Sequence, residues 1–116
     1  MKSHYRLEAW QAAMALVRSI YLWSQPFPED ERFGLTAQIR RAAISIPSNI
    51  AEGAGRGSTS AFCYFLKIAR GSLSELETQY LIASDLGFNS RDKDLEAQIN
   101  RTSMLISGLL RRLAKH

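Results

Sequence analysis

A single cysteine is all the chain contains, and one thiol can form neither an internal disulfide nor a multi-cysteine zinc site. Cys63 stands between Phe62 and Tyr64 in an apolar run, so it reads as a small buried hydrophobe. Histidine is almost as scarce. His4 and His116 lie at the two ends, where frayed backbone is expected, and no imidazole is left in the body of the chain to activate a nucleophile. No uninterrupted apolar run approaches the ~20 residues of a membrane span, and the opening MKSHYRLEAW reaches Glu8 before a signal-peptide core could form. A cytoplasmic protein is therefore expected. Sustained apolar–polar alternation, the mark of half-buried strands, is also missing. These absences point away from a disulfide scaffold, a cysteine-rich metal centre and a membrane span, and towards amphipathic helices.

What is present suits one globular domain over residues 1–116. The 116 residues are 46% hydrophobic and 22% charged, enough apolar material for a core and too much for a disordered chain. The net charge of +4 is modest for a soluble domain, but it is unevenly spread. From Arg32 to Arg70 the cations are Arg32, Arg40, Arg41, Arg56, Lys67 and Arg70, against Glu52 alone. That segment holds more than the excess of the whole chain.

Four helical patterns follow one another. The first runs from about Leu7 to Ser24, with a stripe of Leu7, Trp10, Met14, Val17 and Tyr21 widened by Ala13, Leu16, Ile20 and Trp23, which implies contact on two sides. Gln25-Pro26-Phe27-Pro28 stops it. Pro28 followed by Glu29, Asp30 and Glu31 suits the start of a second helix, with carboxylates at the positive end of its dipole. In that helix Leu35, Ile39, Ala42, Ala43, Ile46, Ile50 and Gly53 share a core-facing arc, and the phase survives across Pro47, so the proline predicts a kink rather than a break. Gly53-Ala54-Gly55-Arg56-Gly57-Ser58 lacks the lysine and spacing of a phosphate-binding loop and reads as helix termination, with an N-cap at Ser58, Thr59 or Ser60. The third helix, about Ser60 to Leu86, carries the cleanest heptad seam: Phe62, Leu66, Ala69, Leu73, Leu76, Tyr80 and Ala83. Gly71 would allow a close backbone approach there, and Gly87 is a natural terminator. Ser90 is expected to cap the fourth helix, in which Leu95, Ile99, Thr102, Ile106, Leu109 and Leu113 repeat the pattern. Its closing Arg111, Arg112 and Lys115 suit the negative pole of the helix dipole. The expected fold is all-α: an antiparallel up-down four-helix bundle with a proline-kinked second helix.

Two further faces of the second helix draw notice. A polar ladder of Gln38, Arg41, Ser45, Asn49, Glu52 and Arg56 is built from shaped hydrogen-bonding groups rather than the usual lysine and glutamate. Gln38, Ser45, Asn49 and Glu52, with Glu75 and Glu77 on the third helix, are candidates for a structural polar network between the two helices. Ala37, Ile44, Ser48 and Ala51 form a mostly small-residue side, which is either an exposed helix back or a subunit contact anchored by Ile44.

The residues Phe27-Pro28, Glu31-Arg32-Phe33-Gly34-Leu35, Gln38-Ile39-Arg40-Arg41-Ala42-Ala43, Ser45-Ile46-Pro47-Ser48-Asn49-Ile50-Ala51-Glu52-Gly53, Phe65-Leu66, Ala69-Arg70-Gly71-Ser72 and Glu75-Leu76-Glu77 together make the chain resemble a known family. It is similar to the small four-helix-bundle proteins encoded in the intervening sequences of bacterial 23S ribosomal RNA genes, a family that also includes the accessory variability determinants of diversity-generating retroelements. The resemblance implies a ring, a homopentamer in known members, with no assigned enzymatic activity. In the retroelement members it also implies nucleic acid and a reverse transcriptase as partners.

The function expected is that of a non-enzymatic, oligomeric, nucleic-acid-associated protein that binds structured RNA through phosphate contacts. In a five-membered ring each copy would contribute its +4, turning a weak patch into a strong field. Arg40, Arg41, Arg56, Lys67 and Arg70 are the candidate contacts; Arg41 or Arg70 could instead pair with Glu52, Glu75 or Glu77 inside the bundle. The alternative is an interaction scaffold for a protein such as a reverse transcriptase. Neither a cofactor nor a metal is expected, since carboxylates brought together across helices two and three would lack the Glu-x-x-His elements of di-metal bundles.

Overall fold

The computed structural model describes residues 2–115. Four helices carry the chain: α1 (Glu8–Trp23), α2 (Leu35–Gly55), α3 (Thr59–Asp85) and α4 (Lys93–Ala114), with short 3-10 turns at Ser3–Arg6 and Glu29–Glu31 and no strand among the described residues. Each helix packs on two neighbours, α2 on α1 and α3, and α4 on α1 and α3, with the α2–α3 contact the most extensive. The body is 46 Å long and 24 × 23 Å across. Contacts between the end of each helix and the start of the next are compatible with the up-down order, and α2 runs through the buried Pro47, as a kinked helix can.

The core is built from the periodic positions. Ile39, Ala42, Ala43, Ile46 and Ile50 of α2 meet Leu66, Ala69, Leu73, Leu76 and Tyr80 of α3 and Leu95, Ile99 and Ile106 of α4. On α1 the buried face is Ala9, Ala13, Leu16, Ile20 and Trp23, while Met14 and Tyr21 are exposed. The core face of α1 is thus rotated from the expected Leu7–Tyr21 stripe. Both faces are apolar, and the one carrying small Ala9 and Ala13 permits the closer packing.

The helix ends depart from expectation in informative ways. Glu29–Glu31 forms its own turn, and the Glu31 carboxylate reaches forward to accept the Leu35 N–H at 3.0 Å; the acid does serve the start of α2, but from outside it. Ser58 caps α3, its Oγ accepting from Ala61 N at 3.1 Å. At the far end Gly87, with φ of 77°, closes α3 in a Schellman motif: Phe88 N donates to Ala83 O at 3.0 Å and Gly87 N to Ser84 O at 3.1 Å. Asp92, not Ser90, caps α4, accepting from Leu95 N at 3.0 Å. Ser90 instead offers its carbonyl to Trp23 Nε1–H at 3.0 Å. That bond belongs to an aromatic cluster at this end of the bundle, in which Trp23 lies 4.6 Å from the Tyr80 ring and 5.4 Å from Phe27.

Tyr80 also fastens α3 to α4. Its buried hydroxyl accepts from Asp92 N at 2.8 Å and donates to Glu96 Oε2 at 2.7 Å, and Arg91 holds the same carboxylate through Nε at 2.7 Å and Nη2 at 3.0 Å. Burial raises the Tyr80 pKa, and the Glu96 carboxyl is lowered from 4.5 to about 2, first by the Arg91 hydrogen bond and then by the Tyr80 hydroxyl.

The close approach of backbones comes at Gly53 and not at Gly71. A Cβ on Gly53 would sit 2.9 Å from Phe65 Cβ and 3.1 Å from Phe62 Cδ1, whereas one on Gly71 would meet nothing within 4 Å. Gly53→Ala should therefore destabilise by about 1–3 kcal/mol through overpacking, against a helix-propensity gain of at most about 1 kcal/mol. Gly71→Ala should stabilise by about 0.5–1 kcal/mol. Urea unfolding of the two variants checks both signs, and equal signs would refute the assignment. The Tyr80–Glu96–Arg91 clasp sets an acid limb. Because the folded pKa of Glu96 is depressed, its contribution is whole above pH 4.5 and is lost as pH falls towards 2. Glu96→Gln should flatten the decline of melting temperature across that window, and an unchanged acid slope would remove Glu96 from the account.

Candidate nucleic-acid interface

The candidate arginines separate once their surroundings are traced. Arg40 does not face outward. It is half-buried, its Nε donating to the buried Ser24 Oγ at 2.8 Å and its Nη2 to Tyr21 O at 3.3 Å, with the guanidinium 4.6 Å above the Tyr21 ring. These contacts join the start of α2 to the end of α1. Arg56 is exposed but engaged, paired with Glu52 at 2.7 Å and lying 5.0 Å from the Phe65 ring. Arg41, Lys67 and Arg70 are exposed, and among the described residues no carboxylate pairs with any of them. The alternative of Arg41 or Arg70 bonded to Glu52, Glu75 or Glu77 is not what the structure contains.

The polar ladder of α2 divides in the same way. Asn49 Nδ2 donates to Ser45 O at 2.8 Å and to Ser45 Oγ at 2.9 Å, and Ser45 Oγ shares a hydrogen bond of 2.8 Å with Ser72 Oγ of α3. Ser45 and Ser72 thus form the link between α2 and α3, with Asn49 holding Ser45 from its own helix. Gln38, Glu75 and Glu77 are exposed and stand outside it, and Glu52 turns to Arg56. The reason is separation: with backbones this close, serine reaches serine across the gap, and longer side chains swing into solvent.

The small-residue side of α2 faces a groove. Ile44, Ser48 and Ala51 line it with Pro47, and Tyr5, Trp10, Met14 and Val17 complete it, enclosing about 410 Å³. Ile44 is 43% exposed, and Ala37 continues the same side of α2 beyond the groove. His4, placed by the 3-10 turn, forms part of the wall, edge-on to Tyr5 at 4.8 Å and to Trp10 at 5.2 Å; it is packed and not frayed. His116 lies outside the described residues. The contribution of Trp10 and Met14 was hidden in the sequence because those positions read as core, and that of Tyr5 because it lies before the first helical stripe.

Among the described residues no three His, Cys, Asp or Glu side chains gather where they could hold a metal ion, and no helix is long and apolar enough to cross a membrane. The chemistry on offer is that of unpaired cations and an apolar groove. Electrostatic attraction to a polyanion and burial against another apolar surface are what such groups do.

A comparison with curated proteins finds no match. Among known protein families, residues 5–108 match the 23S rRNA-intervening sequence proteins. The matched span includes all of α1 to α3, the Ser45–Asn49–Ser72 link and most of α4, and by this match the chain belongs to the 23S rRNA-intervening sequence protein family.

Proposed function

We propose that this chain is a non-enzymatic, cytoplasmic, nucleic-acid-associated protein that works as a homo-oligomer and binds structured RNA through phosphate contacts. The observation that carries this reading is the set of exposed cations without carboxylate partners, Arg41, Lys67 and Arg70, in a family named for ribosomal RNA intervening sequences. Exposed cations of this kind gain by releasing counterions from a phosphate backbone. Arg40, held by Ser24 and the Tyr21 carbonyl, is assigned to stability.

The groove between α1 and α2 is assigned to the contact between copies, with Ile44 as its anchor and Ala37, Ser48 and Ala51 allowing close approach. The family resemblance points to a closed ring of five. A second reading uses the same groove for a protein partner such as a reverse transcriptase. A pull-down that survives complete nuclease digestion would favour it.

Two outcomes are expected. Lys67→Gln with Arg70→Gln should weaken binding to a folded RNA and reduce the salt slope of log K by about 1–2, while Arg40→Gln should lower the melting temperature and leave that slope unchanged. The reverse pattern would exchange their roles. Ile44→Glu should reduce the solution mass measured by light scattering to that of the 13.1 kDa protomer; a wild-type chain that is already a protomer would end the oligomer reading.

A further inference from the structure

The charge of the molecule is uneven along its length, although Glu8 pairs with Arg101 and Glu52 with Arg56. From Gly53 to Ser74 the chain carries Arg56, Lys67 and Arg70 and no carboxylate, and after Glu96 it carries Arg101, Arg111, Arg112 and Lys115 and again none. These two acid-free stretches are the opening of α3 and the closing part of α4. The Tyr80–Glu96 bond fixes how they align: Tyr80 lies in the last turns of α3 and Glu96 in the first of α4, so the two packed helices leave this clasp in the same direction. At about 1.5 Å per residue, Arg111 lies roughly 22 Å along α4 from the clasp, and Phe65 lies the same distance along α3. Arg111 and Arg112 are therefore level with the turn just before Lys67 and Arg70.

Resting on the reading of the chain as RNA-associated, we infer that phosphate is bound at this end of the bundle, where Lys67 and Arg70 of α3 stand beside Arg111, Arg112 and Lys115 of α4, and that this end is the principal RNA contact. Arg111 and Arg112 are exposed and have no ion-pair partner among the described residues. Arg111 Nη2 and Arg112 Nη1 both lie 3.7 Å from the point where a Gly108 side chain would begin. Two guanidiniums thus lean over one glycine, at most twice that distance apart, with no acid to neutralise them. The negative pole of α4 accounts for cations at its end, but it leaves their outward donors free for phosphate oxygens. The opposite end holds Glu29, Asp30, Glu31, Asp85, Asp92 and Asp94, more carboxylates than the Arg32, Arg91 and Lys93 beside them. Across a body 46 Å long and a Debye length of about 8 Å at physiological salt, those acids neither cancel the basic end nor admit a polyanion to their own.

The test compares charge-matched pairs in the full chain, by fluorescence anisotropy of a labelled RNA stem-loop across a salt series. Arg111→Gln/Arg112→Gln should lose at least about tenfold in affinity and about 1–2 in salt slope, whereas Arg32→Gln/Lys93→Gln at the other end should change affinity less than about threefold. The charge-keeping Arg111→Lys/Arg112→Lys should retain binding within about threefold, which separates lost charge from a damaged helix end. Equal losses in the two glutamine pairs would show that binding follows net charge, and would overturn the inference. No loss at Arg111 and Arg112, with wild-type binding intact, would overturn it while leaving RNA association standing. A wild-type chain without salt-dependent RNA binding would instead fail the RNA reading on which it rests.

Discussion

The separation of α2 and α3 is the constraint on which the rest of the molecule depends. Gly53 against Phe62 and Phe65 sets it at one end, where a single Cβ would come within 2.9 Å of a neighbour. Ser45 against Ser72 sets it in the middle. Ala69 between these points, and Ala42 and Ala43 just beyond Ser45, are fully or almost fully buried, so the two helices meet along small residues. This spacing decides what the polar ladder of α2 can do. Ser45 and Asn49 are spent on the α2–α3 link, and only the flanking Gln38, Arg41, Glu52 and Arg56 are left to face solvent.

Magnitudes then sort the cations. Arg40 makes a part-buried charge-assisted hydrogen bond to Ser24 Oγ, worth about 1.5–3 kcal/mol, and a weaker exposed one to the Tyr21 carbonyl, and sits over an aromatic ring for roughly another 0.5–1 kcal/mol. Arg56 and Glu52 form an exposed pair four residues apart on one helix, a contact worth about 0.3–0.5 kcal/mol. A phosphate competing for Arg40 would have to replace two hydrogen bonds and a ring contact, while one competing for Arg56 displaces an exposed ion pair and leaves the Phe65 ring contact in place. Arg56 thus stays available to a polyanion in spite of its partner, and Arg40 does not.

Much of this architecture was legible in the sequence, because helical periodicity, Gly87, Ser58 and the prolines act locally. Apart from the α4 cap, which falls on Asp92 two residues beyond Ser90, expectation failed where the deciding partner was distant in the chain. The role of Arg40 depends on Ser24 and Tyr21 in the preceding helix. Gly53 and Gly71 are both glycines inside helices, and only the position of Phe62 and Phe65 tells a packing requirement from an open surface. On α1 almost the whole circumference is apolar, so periodicity alone does not choose between the face with Ala13 and Leu16 and the face with Met14 and Tyr21. The unchosen face became the wall of the groove.

That unchosen face bears on how the two proposed surfaces coexist. The groove lies along the side of the bundle between α1 and α2, whereas the acid-free region lies at one end and is formed mainly by α3 and α4. Burial in the groove would leave Lys67, Arg70, Arg111 and Arg112 open in every copy. Copies joined side by side would then carry their basic ends in one layer and their carboxylate-rich ends in another. Repulsion within the basic layer is limited, because salt screens charges more than about 8 Å apart. An RNA spanning several copies, by contrast, gains counterion release from each one it touches. Assembly through an apolar side contact and recognition through a charged end therefore support each other, and the α2–α3 spacing helps to hold both surfaces in place.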